Sequence, residues 1–127
     1  MPLQNKDLLI PHRLSPGDTI AVAAPAGYFN TEIFLQGISV LESMGFRVRV
    51  PNEIFSQSGY FAGTDALRAD VLERLFKDDS VKAIVCARGG FGSIKILPLL
   101  DFKIIAENPK IFIGFSDISV LLNVFFE

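Results

Sequence analysis

Two short segments of this chain carry residue types whose spacing suits chemistry. The first is Gly114-Phe115-Ser116-Asp117, which follows the apolar run Ile111-Phe112-Ile113 and precedes a second apolar stretch from Ile118. A serine in a sharp strand-to-helix turn is lifted above the sheet edge, the placement of a nucleophile elbow. The backbone N–H of the next residue, Asp117, then points toward the same spot. That donor and the helix dipole would stabilise an oxyanion forming there. Gly114, two residues before the serine, allows close backbone approach, but Ile118 stands where the usual pattern has a second glycine. Ser116 and Asp117 before an apolar helix also fit ordinary N-caps.

The second segment is Arg88-Gly89-Gly90-Phe91-Gly92, directly after Val81–Ala87. Three uses fit it: a phosphate cradle of backbone N–H groups, the other half of an oxyanion hole, or simply a tight turn into a helix. It matches neither the G-x-x-x-x-G-K-[ST] loop nor the G-x-G-x-x-G fingerprint. Arg88 can grip an acidic substrate group with its forked guanidinium or pair with an acidic neighbour. His12, the one histidine, lies in Pro11-His12-Arg13 before the first strand and reads as a solvated residue rather than a general base. Cys86, the one cysteine, reads as core packing. With one Cys and one His, neither an internal disulfide nor a Cys/His zinc site is expected.

The elements that position these segments alternate between strand and helix. Thr19–Ala24 reads as a buried strand, closed by Pro25-Ala26-Gly27. Asn30 or Thr31 caps a helix with Phe34, Ile38 and Leu41 on one face and Gly45 as its stop. Phe46–Val50 alternates apolar and charged residues, as an edge strand does. Residues 51–63 read as a loop. Thr64 or Asp65 opens a helix with a stripe of Leu67, Val71, Leu72, Leu75 and Phe76, leaving Arg68, Asp70, Glu73 and Arg74 mostly in water. Val81–Ala87 is a second buried strand and an apolar helical stretch runs to Leu100. A short helix over 101–107, a third buried strand at Ile111–Ile113 and a helix from Ile118 complete the list. The fold this implies is α/β: three layers, a mostly parallel sheet with helices on both faces, flavodoxin- or Rossmann-like. Sites in such sheets gather at the carboxyl ends of the strands.

Composition narrows the function classes. The chain has 127 residues, 12 Lys plus Arg against 14 Asp plus Glu, and a formal charge of −2. That balance gives no footprint for nucleic acid. No run reaches the roughly 20 apolar residues of a membrane span, and no secretory leader is recognisable; a cytoplasmic protein is expected. Half the residues are hydrophobic, 12 of them Phe, and mean hydropathy is +0.39. A domain this small hides that much apolar surface poorly, so some of it should face a partner, a further domain or a second copy. The run from Val120 to Phe126 is almost continuously apolar, as expected of a helix buried in something larger.

Four segments together resemble the LD-carboxypeptidases, serine peptidase family S66. They are Pro16-Gly17-Asp18-Thr19-Ile20 with Ala23-Ala24-Pro25; Gly59-Tyr60-Phe61-Ala62-Gly63-Thr64-Asp65 with Arg68 and Asp70-Val71; Cys86-Ala87-Arg88-Gly89-Gly90-Phe91-Gly92; and Ile113-Gly114-Phe115-Ser116-Asp117-Ile118. Phe91 and Phe115 stand where the family often has Tyr. The resemblance implies a cytoplasmic hydrolase of peptidoglycan recycling that releases terminal D-alanine from a murein tetrapeptide, without a cofactor. It implies Ser116 as nucleophile and, as oxyanion hole, the N–H of Asp117 with one from the Gly89-Gly90 turn, Gly90 by preference; Arg88 and Gly89 are the candidates to bind substrate. Residues 1–13 would be an extension and 14–127 the nucleophile-bearing domain. A Glu and a His would come from a C-terminal domain absent from these 127 residues, so the chain alone should be inactive. Microcin self-immunity peptidases share the pattern. A non-catalytic phosphate- or nucleotide-binding module using the Gly89–Gly92 turn, and a dimerisation domain, are the competing classes.

Overall fold

A computed structural model describes residues 13–87 and 93–113. Four parallel strands, β1 (Thr19–Ala23), β2 (Arg47–Arg49), β3 (Val81–Cys86) and β4 (Ile111–Ile113), form one sheet in the order β2-β1-β3-β4. Between them run α1 (Thr31–Ser43), α2 (Asp65–Lys77), α3 (Ser93–Ile96) and α4 (Phe102–Glu107). The α/β class and the edge position of Phe46–Val50 are as the residue pattern indicates. The 51–63 stretch is not plain loop: Asn52–Phe55 makes one 3₁₀ turn and buries Ile54.

Capping explains where the helices start and stop. The Asn30 side chain accepts from the Ile33 N–H at 3.0 Å, and the Thr64 hydroxyl accepts from the Leu67 N–H at 3.2 Å. Asp101 caps α4 through the Lys103 N–H at 3.0 Å. Gly45 ends α1 at φ 95°, where a Cβ would sit 3.3 Å from Pro16. Its carbonyl accepts from the Gly17 N–H at 2.7 Å, which brings the turn before β1 against the turn before β2.

The connection from β1 to β2 steps one way along the sheet, and that from β2 to β3 steps back across β1. Right-handed crossovers therefore place α1 and α2 on opposite faces. On the α2 face the core is closed: Val71, Leu72, Leu75 and Phe76 are buried, and Phe76 stacks on Phe112 with centroids 5.9 Å apart. α3 and α4 pack beside α2.

The α1 face is different. Val22, Val85 and Ile113 are register partners across β1, β3 and β4, so they point to the same side. Val85 is half-buried and Ile113 is 48% exposed. The reading of Ile111–Ile113 as a fully buried strand thus holds only for Phe112. α1 itself has no buried residue, and Ile33, Leu35, Val40 and Met44 are all exposed. Among the described residues, these are the most exposed of the large apolar side chains on this face.

Candidate active site

β3 and β4 are adjacent and parallel, with Val85 opposite Ile113. The chain therefore leaves both strands at the same end of the sheet, about 4.8 Å apart in the pairing direction. Arg88, Gly89 and Gly90 follow the first exit, and Ser116 and Asp117 follow the second. These five candidate residues lie outside the described residues, as do His12 and the apolar run 118–127. What the structure describes is the two strand ends that they follow in sequence and the loops beside β1.

The loops beside the end of β1 are organised by Arg68. The stripe reading turned this residue to water; instead it is only 2% exposed. Its helical position, one turn before Val71 and Leu72 and two before Leu75, puts it on the buried stripe, and Asp65 three residues earlier supplies its counter-charge. Nε donates to the Gly63 carbonyl at 3.2 Å and Nη1 to the Pro25 carbonyl at 2.6 Å, while Nη2 pairs with the Asp65 carboxylate. A buried guanidinium is tolerated only when its donors are satisfied in this way.

The two carbonyls belong to different loops. Pro25 follows β1 at its carboxyl end, and Gly63 closes the loop before α2. The Tyr28 N–H donates to the Tyr60 carbonyl at 2.9 Å, and the Ala62 N–H to the Ala26 carbonyl at 3.0 Å. Gly27 and Phe61 form an antiparallel bridge. Gly63 has φ 111°, a backbone state that favours glycine, and a Cβ there would meet Leu67 at 3.0 Å. The Gly59–Asp65 segment is thus a pinned double loop beside the ends of β1 and β3.

The Phe61 ring receives the Arg68 guanidinium at 4.5 Å from its centroid and the Lys95 ammonium at 5.1 Å. Lys95 lies in α3, just past residues 88–92. On their near side, the Ala87 N–H donates to the Ala23 carbonyl at 2.8 Å.

On the α1 face a groove of about 560 Å³ runs between α1 and the sheet, lined by Val22, Phe34, Gly37, Ile38, Val85 and Cys86 among others. The Cys86 side chain is half-buried and packed against the core, and burial pushes its thiol far above the ordinary range. It is therefore a protonated packing group, in keeping with the structural reading. Among the described residues no cluster of His, Cys, Asp or Glu can hold a metal ion, and no helix is long and apolar enough to cross a membrane.

Comparison with known proteins fits this arrangement. The LD-carboxypeptidase N-terminal domain of the peptidase S66 family matches residues 20–127. A probable murein peptide carboxypeptidase of Bacillus subtilis is 41% identical over 111 residues, covering 87% of this chain and 35% of that protein. The microcin C7 self-immunity protein MccF of Escherichia coli is 34% identical over 113 residues, covering 86% of this chain and 33% of that protein. The crystal structure of an MccF-like protein from Bacillus anthracis superposes with a TM-score of 0.89 at 32% identity, covering 94% of this chain and 37% of that one. The chain spans about a third of the length of these relatives. It belongs to the LD-carboxypeptidase N-terminal domain family, peptidase family S66.

Proposed function

We propose that this chain is the nucleophile-bearing domain of a serine carboxypeptidase that hydrolyses an L,D-peptide bond and releases terminal D-alanine from a murein tetrapeptide in cell-wall recycling. The observation that carries the reading is the side-by-side exit of β3 and β4, followed in sequence by Arg88-Gly89-Gly90 and by Ser116-Asp117. Family membership and the murein peptide carboxypeptidase among the relatives support it.

In this reading Ser116 attacks the scissile carbonyl. The N–H groups of Asp117 and Gly90 receive the developing oxyanion, and Arg88 with Gly89 holds the substrate's acidic end. No cofactor or metal takes part. The general base, a His oriented by a Glu, comes from a C-terminal domain beyond residue 127, so the 127-residue chain alone is inactive. The protein acts in the cytoplasm, binds neither nucleic acid nor membrane, and associates with itself through its exposed apolar surface. The relation to MccF keeps a second substrate within the same chemistry, a microcin-type amide.

The test is D-alanine release from an L,D-linked tetrapeptide, with fluorophosphonate labelling in parallel. The full-length protein that carries this domain should turn over and label, and Ser116→Ala should abolish both. The isolated chain should do neither. Normal turnover by the isolated chain would refute the missing base, and labelling that survives Ser116→Ala would refute the nucleophile.

A further inference from the structure

We propose that the flank of α1 is a docking surface for an amphipathic helix of the polypeptide that follows residue 127, laid beside α1 over β3 and β4; the existence of that polypeptide rests on the function proposed above. α1 carries two apolar stripes. Phe34, Ile38 and Leu41 are half-buried toward the sheet, and Glu32, Gln36 and Ser43 are exposed on the far side. The second stripe is Ile33, Gly37, Val40 and Met44, at spacings of 4, 3 and 4, the seam of a helix that packs on another helix. It lies about 100° round the helix from the first, so it faces along the helix layer rather than into the sheet. Ile33 is 68% exposed, and Val40 and Met44 are 59% exposed.

Gly37 points the same way. A glycine inside a helix is less favourable than alanine, and a Cβ at Gly37 would meet nothing within 4 Å. The packing of this chain does not require it; close approach of a second helix does. The groove opens on this flank, with Ile33 and Gly37 lining it from α1 and Val22 and Val85 from the sheet. A helix is about 10 Å across and strands lie about 4.8 Å apart, so one helix covers two strands. α1 packs on β2, which leaves room for one more helix over β3 and β4.

A second copy does not fit there. Each α1 sits on its own sheet, so a second α1 along the seam would drive its sheet into the plane of β3 and β4. A crossover that leaves β4 for the open edge of the sheet belongs by right-handedness on the α2 face. The cover therefore comes from later polypeptide, and the length is there: this chain spans 37% of the MccF-like structure on which it superposes. Contact between copies is left to apolar side chains elsewhere, such as Leu99 and Phe102.

Cysteine labelling with a maleimide decides it, with Val40→Cys as probe, Gln36→Cys as outward control and Cys86 as the shielded reference. In the 127-residue chain Val40→Cys should label as fast as Gln36→Cys at every protein concentration. In the full-length protein it should label at least about tenfold more slowly, with Gln36→Cys unchanged. Equal labelling in the two proteins overturns the proposal. Slow labelling already in the 127-residue chain overturns it too, in favour of residues 118–126 if the slowness survives dilution and of a second copy if dilution relieves it. Gly37→Leu should leave the urea midpoint of the 127-residue chain unchanged or raised and lower that of the full-length protein, where the space is filled. A full-length midpoint that does not fall overturns the close approach. Failure of the full-length protein to release D-alanine counts against the proposed function instead, and the labelling contrast still judges this surface.

Discussion

Val85 of β3 and Ile113 of β4 face each other as register partners in a parallel pair, and both side chains lie on the α1 side of the sheet. This relationship sets which residues leave the sheet together. A one-residue slip would turn one side chain to the opposite face and shift the exit of the serine segment relative to the glycine segment. Neighbouring strands lie about 4.8 Å apart, within the Cα separations of about 4.4–6.8 Å that a disulfide accepts. In a Cys86→Ser background, the pair Val85→Cys and Ile113→Cys should therefore oxidise to a disulfide, seen as loss of both free thiols in a thiol titration. Two persistent thiols under oxidising conditions would place the strands in another register.

The two faces of β4 should respond oppositely to substitution. Phe112 is 7% exposed and stacks on Phe76 under α2, whereas Ile113 next to it is 48% exposed. Truncating a buried Phe removes apolar burial and leaves a cavity, so Phe112→Ala should cost about 3–5 kcal/mol. Ile113→Thr keeps a β-branched strand former on an open face and should stay within about 0.5 kcal/mol. Urea unfolding of the two variants of this chain checks the contrast; equal losses would mean that the α1 face of β4 is covered.

Much of this architecture was legible in the residues because the local signals agree with one another. Asn30, Thr64 and Asp101 cap helices by side-chain chemistry that acts within three residues. Pro16-Gly17-Asp18 and Gly45 mark turns for reasons equally local. The charge of Arg68 points to water while its position on the α2 stripe points inward; only the fold brings the Pro25 and Gly63 carbonyls to it, from 43 and 5 residues away. The half-open α1 face was legible as excess hydropathy but not as a location, since the period of Ile111–Ile113 cannot tell a covered face from a bare one. For the candidate site, four ordered motifs pointed to the family, and the sheet order supplies what they could not: that β3 and β4 are neighbours.

Acid should loosen the amino-terminal end of the sheet through Asp78. Its carboxyl is held below the ordinary range first by the Ser80 hydroxyl and backbone N–H, and also by the Arg49 guanidinium. These contacts join the end of α2 to edge strand β2. A lowered carboxylate pKa gives stability that is complete above the unfolded value, about 3.9, and is lost as pH falls through the folded value. Both side chains of the ion pair are more than a third exposed, so screening limits the contribution to at most about 1 kcal/mol. Asp78→Asn should lower the urea midpoint at pH 7, and the difference from the unsubstituted chain should shrink as pH falls below about 3.9. A gap that stays constant down to pH 2 would assign the effect to packing rather than charge.

Cys86 should be slow toward thiol reagents for a reason that pH can expose. It is partly buried against the core, and burial raises its thiol far above its ordinary value. The thiolate is the reacting species, so an ordinary cysteine of pKa about 8.5 reaches its full rate a little above that pH. Cys86 should instead react at a rate that climbs about tenfold per pH unit up to pH 10 without levelling. The same shift has a stability consequence of definite sign. A thiol whose pKa is raised on folding leaves stability intact below the unfolded value, near 8.5, and erodes it above, because only the unfolded chain ionises freely. The urea midpoint should therefore fall between pH 8.5 and 10 by more in the unsubstituted chain than in Cys86→Ala. A rate plateau near pH 9, with identical pH dependence of the two midpoints, would show that the thiol ionises as freely as in the unfolded chain.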